Sequence, residues 1–321
     1  MVYDRCVGES TLAGINNWLH SLGIKDEEWM PACDATYKLS IRFEDFYRKG
    51  SGGFHYPFGM PHLDDIIRSK NEWYISKLFH ATEKPCSDYA ESMYAGMSLV
   101  KTNKISPSND KFPGYRFDAH CAYHINAVKF AFWLRDNYAV PKGVKHVLAE
   151  VKDIKVSNKD GISYLELDNG EKVTADLFVD CTGFKSLLLG DALREPFISF
   201  ADKLPVNSAW AVQLPYTDKR KELVNYTNCT AIENGWVWHT PLWSRIGTGY
   251  VYSDKYVTDE CALEEFKDYL KSKGSYREDS NYRKLKFRVG VHERLWVKNV
   301  IAIGLSASFI EPLESNGLYS V

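Results

Sequence analysis

Near the end of this 321-residue chain, Asn299-Val-Ile-Ala-Ile-Gly304 is a β-branched apolar run that stops at a glycine. So short and continuous a run suits a strand buried on both faces. After Leu305-Ser-Ala-Ser-Phe-Ile310 comes Glu311-Pro-Leu-Glu-Ser-Asn-Gly-Leu-Tyr319, in which a proline among acids marks a helix start. Strand, turn and helix N-terminus together make a site. Free N–H groups there, those of Asn316 and Gly317, can hold an anion, and Gly317 has no side chain to keep a ligand away. Glu314 and Ser315 place a carboxylate and a hydroxyl beside them. An ordinary capped helix with an acid in its first turn is the plain alternative.

The chain opens on Val7-Gly-Glu-Ser-Thr11, followed by Leu12, Ile15, Leu19 and Leu22 at helical spacing, with Ser10 or Thr11 placed as the cap. Tyr37 to Phe43 alternates as a strand, with Tyr37, Leu39, Ile41 and Phe43 on one face. Lys38, Ser40 and Arg42 share the other, which turns Lys38 away from the core. Gly50 to Gly59 reads as a flexible loop carrying Phe54, His55, Tyr56 and Phe58. Residues 62–100 look mainly helical, and a further helix is expected over Phe117 to Tyr138. It would set His120 and His124 on one face, but no Glu follows His120 and no third ligand is evident, so no metal is expected. A β pattern runs through Val144–Val151, Ser163–Leu167, an Asp168-Asn-Gly170 turn and Ala175–Cys181, ending at Thr182-Gly183. Residues 207–256 read as an antiparallel sheet with Trp236 and Trp238 on one face of a strand, and residues 259–273 as an amphipathic helix. With no repeat or low-complexity linker, residues 1–321 read as one composite domain.

Composition narrows the partners. A formal charge of −2, from 40 basic and 42 acidic residues, leaves no nucleic-acid or membrane-surface footprint. The 14% aromatic content suits the walls of a flat, apolar ligand site. Seven cysteines without C-x-x-C spacing argue for free thiols in a reducing compartment. Together with the absence of a signal-peptide pattern or a long apolar run, this gives a cytoplasmic expectation.

Glu311-Pro-Leu-Glu-Ser-Asn-Gly317 resembles the E-P-L-E-S-T-G motif of the flavin-dependent tryptophan halogenases, with Asn316 where that family usually has Thr. Val7-Gly-Glu-Ser-Thr11, Cys33-Asp-Ala-Thr-Tyr-Lys38, Asp180-Cys-Thr-Gly183 and Gly235-Trp-Val-Trp-His-Thr-Pro241 agree with the family in the same order. The resemblance implies an α/β fold: a glutathione-reductase-like FAD-binding unit with an antiparallel substrate-side sheet and helical insertions. It implies FAD, used as FADH2, with O2 and halide as co-substrates, and hypohalous acid as the oxidant. Lys38 would meet that oxidant, Glu314 would stabilise the cationic ring intermediate, and Ser315 would orient Glu314. Asn316 and Gly317 would hold the halide. Gly8, Glu9, Ser10, Thr11, Val151, Thr182, Gly183, Leu305 and Leu318 take the cofactor positions. Trp236 and Trp238 match the paired indoles of the halogenase motif, with Thr240 a mild departure. Phe58 matches the H-x-F-G pattern, whereas Tyr56 stands where a His is usual and His55 is a candidate to compensate.

The implied substrate is a small electron-rich aromatic, and the implied partner a separate NADH-dependent flavin reductase; a homodimer is left open. No G-x-G-x-x-G turn occurs in the chain. Against the family pattern the sequence is therefore expected to lack about one βα unit, of the ~30-residue scale of that motif, at one end and a helical part at the other. A hydroxylating flavin monooxygenase and a non-catalytic flavoprotein fragment stay open, to be separated by halide dependence and by FAD binding.

Overall fold

The computed structural model describes residues 8–61, 66–79, 85, 87–108, 114–310 and 312–313. Strand β1 (Glu9–Ser10) leads into helix α1 (Gly14–Ser21), which buries Asn16 and Leu19 and has no side-chain cap. Ser10 and Thr11 do not cap it, because their hydroxyls are committed elsewhere: Ser10 Oγ lies 2.7 Å from Thr227 Oγ1, and Thr11 Oγ1 donates to the Tyr123 carbonyl at 2.8 Å.

After α2 (Asp26–Trp29) the alternating run divides into β2 (Thr36–Lys38) and β3 (Ser40–Glu44). Leu39, between them, donates its N–H to Asn225 O at 2.8 Å and accepts that of Phe58 at 3.0 Å. One residue outside both strands sends Lys38 and Ser40 into different sheets. Lys38 is consequently buried, not turned away from the core.

Strand β4 (Gly53–Pro57) pairs with β3 and replaces half of the expected Gly50–Gly59 loop. Helices α3 (Ile66–Phe79), α4 (Ser87–Met93) and α5 (Gly96–Thr102) supply the expected helical region. The helix expected over Phe117 to Tyr138 is interrupted: α6 (Phe117–His120), β5 (Ala122–Ile125) and α7 (Ala127–Leu134), then a π-type turn over Arg135–Ala139. All four β5 residues are buried, so no alternation betrays the strand. His120 and His124 therefore share no helix face.

Farther on are β6 (Val151–Ser157), β7 (Gly161–Leu167), β8 (Lys172–Val173), β9 (Phe178–Asp180) and β10 (Phe197–Ser199). The strand expected from Val144 begins only at Val151; Val144, Val147 and Leu148 are exposed, with no core to give them a face. The Asp168–Gly170 turn forms, with Gly170 at φ +83° donating to Leu167 O at 2.9 Å. Then follow β11 (Ser208–Leu214), α8 (Lys219–Glu222), β12 (Tyr226–Ile232), β13 (Gly235–Pro241), β14 (Ile246–Tyr252) and α9 (Asp259–Ser272). The last elements are β15 (Arg283–Lys286), β16 (Gly290–His292), β17 (Trp296–Val297), β18 (Val300–Ala302) and β19 (Ser308–Phe309).

Two compact units result. One comprises Met1–Trp133, Ala209–Tyr252 and Tyr256–Lys284; the other comprises Leu134–Ser208, Ser253–Lys255 and Leu285–Val321. The first holds a small antiparallel sheet, order β1-β5-β2, and the main sheet, order β15-β11-β14-β13-β12-β3-β4. The expected antiparallel hairpins β12-β13-β14 are present, and β12 joins β3 in parallel. Helix α9, capped by Thr258, buries Ala262, Phe266 and Leu270 against Val237, Tyr250 and Tyr252. In the second unit β9 and β18 run parallel over a core of Ile162, Leu188 and Leu189. Strand β18 is the buried strand expected within Asn299–Gly304. Glu314, Ser315, Asn316, Gly317 and Leu318 lie outside the described residues.

Candidate active site

Lys38 is wholly buried, a rare state for a lysine. Its Nζ donates to the Thr11 carbonyl at 2.8 Å and stands 5.0 Å from the centre of the Phe58 ring. Loss of hydration brings its pKa down to about 7, against the opposing pull of Cys229 and Glu9. Burial likewise raises the Glu9 carboxyl to about 7, with Lys38 pulling it the other way. An amine and a carboxyl of similar proton affinity thus interact inside the first unit, and both ammonium and free amine are within reach near neutral pH. Thr11 is fixed for its part by a reciprocal pair with Tyr123, whose N–H donates to Thr11 Oγ1 at 2.9 Å.

The aromatic positions gather on β4 and β13. Trp236 is buried and Trp238 partly so, with ring centres 6.3 Å apart at 62°. A side chain at Gly249 would meet the Trp238 ring at 2.1 Å, so glycine there makes room for the indole. Trp238 pairs across the sheet with Cys229, the thiol in electrostatic range of Lys38. Tyr56 is 52% exposed and Phe58 buried, their rings edge to face at 6.5 Å. His55 projects from the opposite side of β4: its Nδ1 meets Ser40 Oγ at 3.0 Å, and burial, then Arg42, lowers its pKa to about 4. It does not stand in for the histidine expected at Tyr56. Asp34, at φ +57°, accepts from Ser244 N at 2.9 Å, Ser244 Oγ at 2.5 Å and Arg245 Nη1 at 3.2 Å, which ties the strand bearing Lys38 to the β13–β14 turn.

In the second unit the turns after β9 and β18 lie side by side, each with a positive-φ glycine, Gly183 at +68° and Gly304 at +58°. The carboxyl ends of parallel strands are where α/β sheets take ligands. Among the described residues nothing stands within 4 Å of a side chain added at Gly183, and Leu305 is 38% exposed. The backbone at Gly183 is thus open to a ligand. Val151, exposed, opens β6. Thr182 Oγ1 donates to Asp180 Oδ1 at 2.7 Å and accepts from Leu187 N at 2.7 Å, so its hydroxyl shapes the turn. Burial pushes the Asp180 carboxyl up, but N–H groups of Leu189, Thr182 and Leu188 with the Thr182 hydroxyl outweigh it and hold it below its usual range. Asp180 was legible as part of a motif but not as the organiser of this turn. His124 was singled out in the sequence only as a possible partner of His120, and Thr227, bonded to it, was not singled out at all. Among the described residues no group of three or more His, Cys, Asp or Glu is arranged to hold a metal, and no helix is long and apolar enough to cross a membrane.

Fold and site thus define a mixed α/β protein with a buried lysine beside an aromatic-rich sheet. A family model described as tryptophan halogenase matches residues 2–321, and the chain belongs to that family. It is 36% identical over 328 residues to the tryptophan 6-halogenase SttH of Streptomyces toxytricini, covering 98% of this chain and 62% of that protein. It is 33% identical to the tryptophan 7-halogenase RebH of Lentzea aerocolonigenes, covering 98% and 60%. The solved apo structure of VirX1 superposes with a TM-score of 0.91 at 41% identity, over 99% of this chain and 61% of that one. The chain therefore spans about three fifths of the length of these relatives.

Proposed function

We propose that the protein is an FADH2-dependent halogenase acting on an electron-rich aromatic such as tryptophan, an indole or a related aryl compound. The observation that carries this reading is the buried Lys38, held between the Thr11 carbonyl and the Phe58 ring in the family's own lysine position. FAD, when bound in its reduced form with O2 and halide, supplies hypohalous acid. Residue by residue, the resemblance gives Gly8, Glu9, Ser10, Thr11, Val151, Thr182, Gly183, Leu305 and Leu318 to a glutathione-reductase-like cofactor site. The Ser10, Thr11 and Thr182 hydroxyls are bonded within the protein, as are the Thr11 and Thr182 N–H groups, so these residues shape the backbone of their turns.

Lys38 would receive the oxidant. As an ammonium it hydrogen-bonds and polarises hypohalous acid; as a free amine it is open to conversion to a haloamine. Both forms are populated near neutral pH because burial has lowered its pKa. Glu314, oriented by Ser315, would stabilise the cation formed on the ring and take its proton. Asn316 and Gly317 would hold the halide through main-chain N–H groups. Lys38→Met should abolish halogenation while leaving flavin binding intact, and Glu314→Gln should slow turnover by ~10²-fold, the size usual for one positioned acid–base group. Halogenation retained in Lys38→Met would overturn the assignment. Substrate hydroxylation independent of halide would instead favour the monooxygenase.

A further inference from the structure

A chain of buried hydroxyls and one imidazole crosses the small sheet on the face that carries Lys38. Ser10 and Thr36 both oppose His124 in register, and Thr36 lies two residues from Lys38 on β2, so these side chains share a face. Ser10, Thr36, His124 and Thr227 are all buried. The proton directions follow in order. Thr36 donates its single hydroxyl proton to Pro241 O at 2.6 Å, so at Nδ1, 3.0 Å away, His124 must be the donor. With that tautomer, Nε2 accepts from Thr227 Oγ1 at 2.9 Å, and Thr227 in turn accepts from Ser10 Oγ at 2.7 Å. The chain runs one way, from Ser10 to Pro241.

A proton added to Nε2 would force Thr227 and Ser10 to reverse and would place a second cation beside Lys38. Burial first, then Lys38 and His239, push the His124 pKa well below the usual imidazole range, with only the Pro241 carbonyl opposing. The groups acting on Lys38 itself are Glu9 from β1 and Cys229 from β12, and burial on β13 has lowered His239 to about 4.

We propose that His124 is a positioning residue for Lys38: kept neutral and in its Nδ1–H form, it anchors Ser10 through Thr227 and so presents the neighbouring Thr11 carbonyl to Lys38 Nζ. The catalytic meaning of this rests on the reading of Lys38 given above, but the physical claim does not.

The test uses the full-length protein with 13C at the lysine ε-carbons, following the Lys38 resonance against pH and identifying it by its loss in Lys38→Met. Thr227→Val and Ser10→Ala cut two different links with little change of shape, and His124→Gln alters the middle one. Each cut should loosen the carbonyl, admit water and raise the Lys38 midpoint by about half a pH unit or more, since loss of hydration is what lowered it. The double variant Thr227→Val/Ser10→Ala should move it no further than the larger single change, because both sever one chain. An unmoved midpoint in Thr227→Val and Ser10→Ala, or shifts that simply add, would overturn the inference, and these two decide it if His124→Gln does not fold. A wild-type His124 resonance titrating between about pH 6 and 8 would overturn it as well. Halogenation surviving in Lys38→Met, with the midpoint shifts as expected, would fell the catalytic reading of Lys38 and leave the positioning intact.

Discussion

Lys38 carries a cost in stability that depends on pH. In the unfolded chain its amine has the ordinary affinity near 10.5, whereas in the fold it titrates at about 7. Between those values the unfolded state binds more protons, so stability rises with pH across that window and the penalty is complete below it. Each tenfold change in proton affinity corresponds to about 1.4 kcal/mol. Denaturant unfolding of the wild type and of Lys38→Met at a series of pH values should therefore show the wild type gaining on the variant between about pH 7 and 10; a constant difference would contradict the burial argument. Glu9→Gln should lower the Lys38 midpoint further, because that carboxylate pulls it upward, and the lysine resonance would report it. The position of Lys38 was legible in its motif, but its burial was not. Its run alternates without interruption from Tyr37 to Phe43, and nothing in that alternation marks Leu39 as the residue where one sheet ends and another begins.

Elements with a strong period were the legible ones. Helix α9 lies where its spacing placed it because one face is buried against a single core, and the hairpins around Trp236 and Trp238 lie where their β-branched and aromatic runs placed them. Strand β5 was hidden because it is buried throughout, so no alternation of exposed and buried positions separates it from the helices on either side. Within β13–β14 the fit is tight. Gly249→Ala would drive a methyl group into the Trp238 ring and toward the Trp210 carbonyl, costing about 1–3 kcal/mol by overpacking. Loss of near-ultraviolet circular dichroism from the indole pair should accompany the lower stability, and an unchanged spectrum would show that the ring can move aside freely. On α9, Phe266→Ala removes a wholly buried ring and should cost about 3–5 kcal/mol in the same unfolding assay.

At the scale of the molecule, each of the two units has its own apolar core. Their interleaving along the chain explains why no composition shift announced them: the first unit is assembled from three separate stretches of sequence. The proposed activity needs a supply of reduced flavin, and no nicotinamide-binding motif occurs in the sequence. The purified protein should thus turn over with chemically reduced FAD or an added reductase and stay idle on NADH alone; NADH-driven turnover without a second protein would exclude that partner. Leu39, between β2 and β3, is bonded on both sides to chain flanking the main sheet, to Asn225 just before β12 and from Phe58 just after β4. Because these two bonds carry the pairing with β12 and β4 one residue past the start of β3, the amide hydrogens of Leu39 and Phe58 should exchange with deuterium only when the main sheet opens, at the slowest rate in their neighbourhood. The backbone next to Lys38 would then be among the last parts of the unit to breathe, so that variation in the exposed face of β4 can proceed without disturbing it.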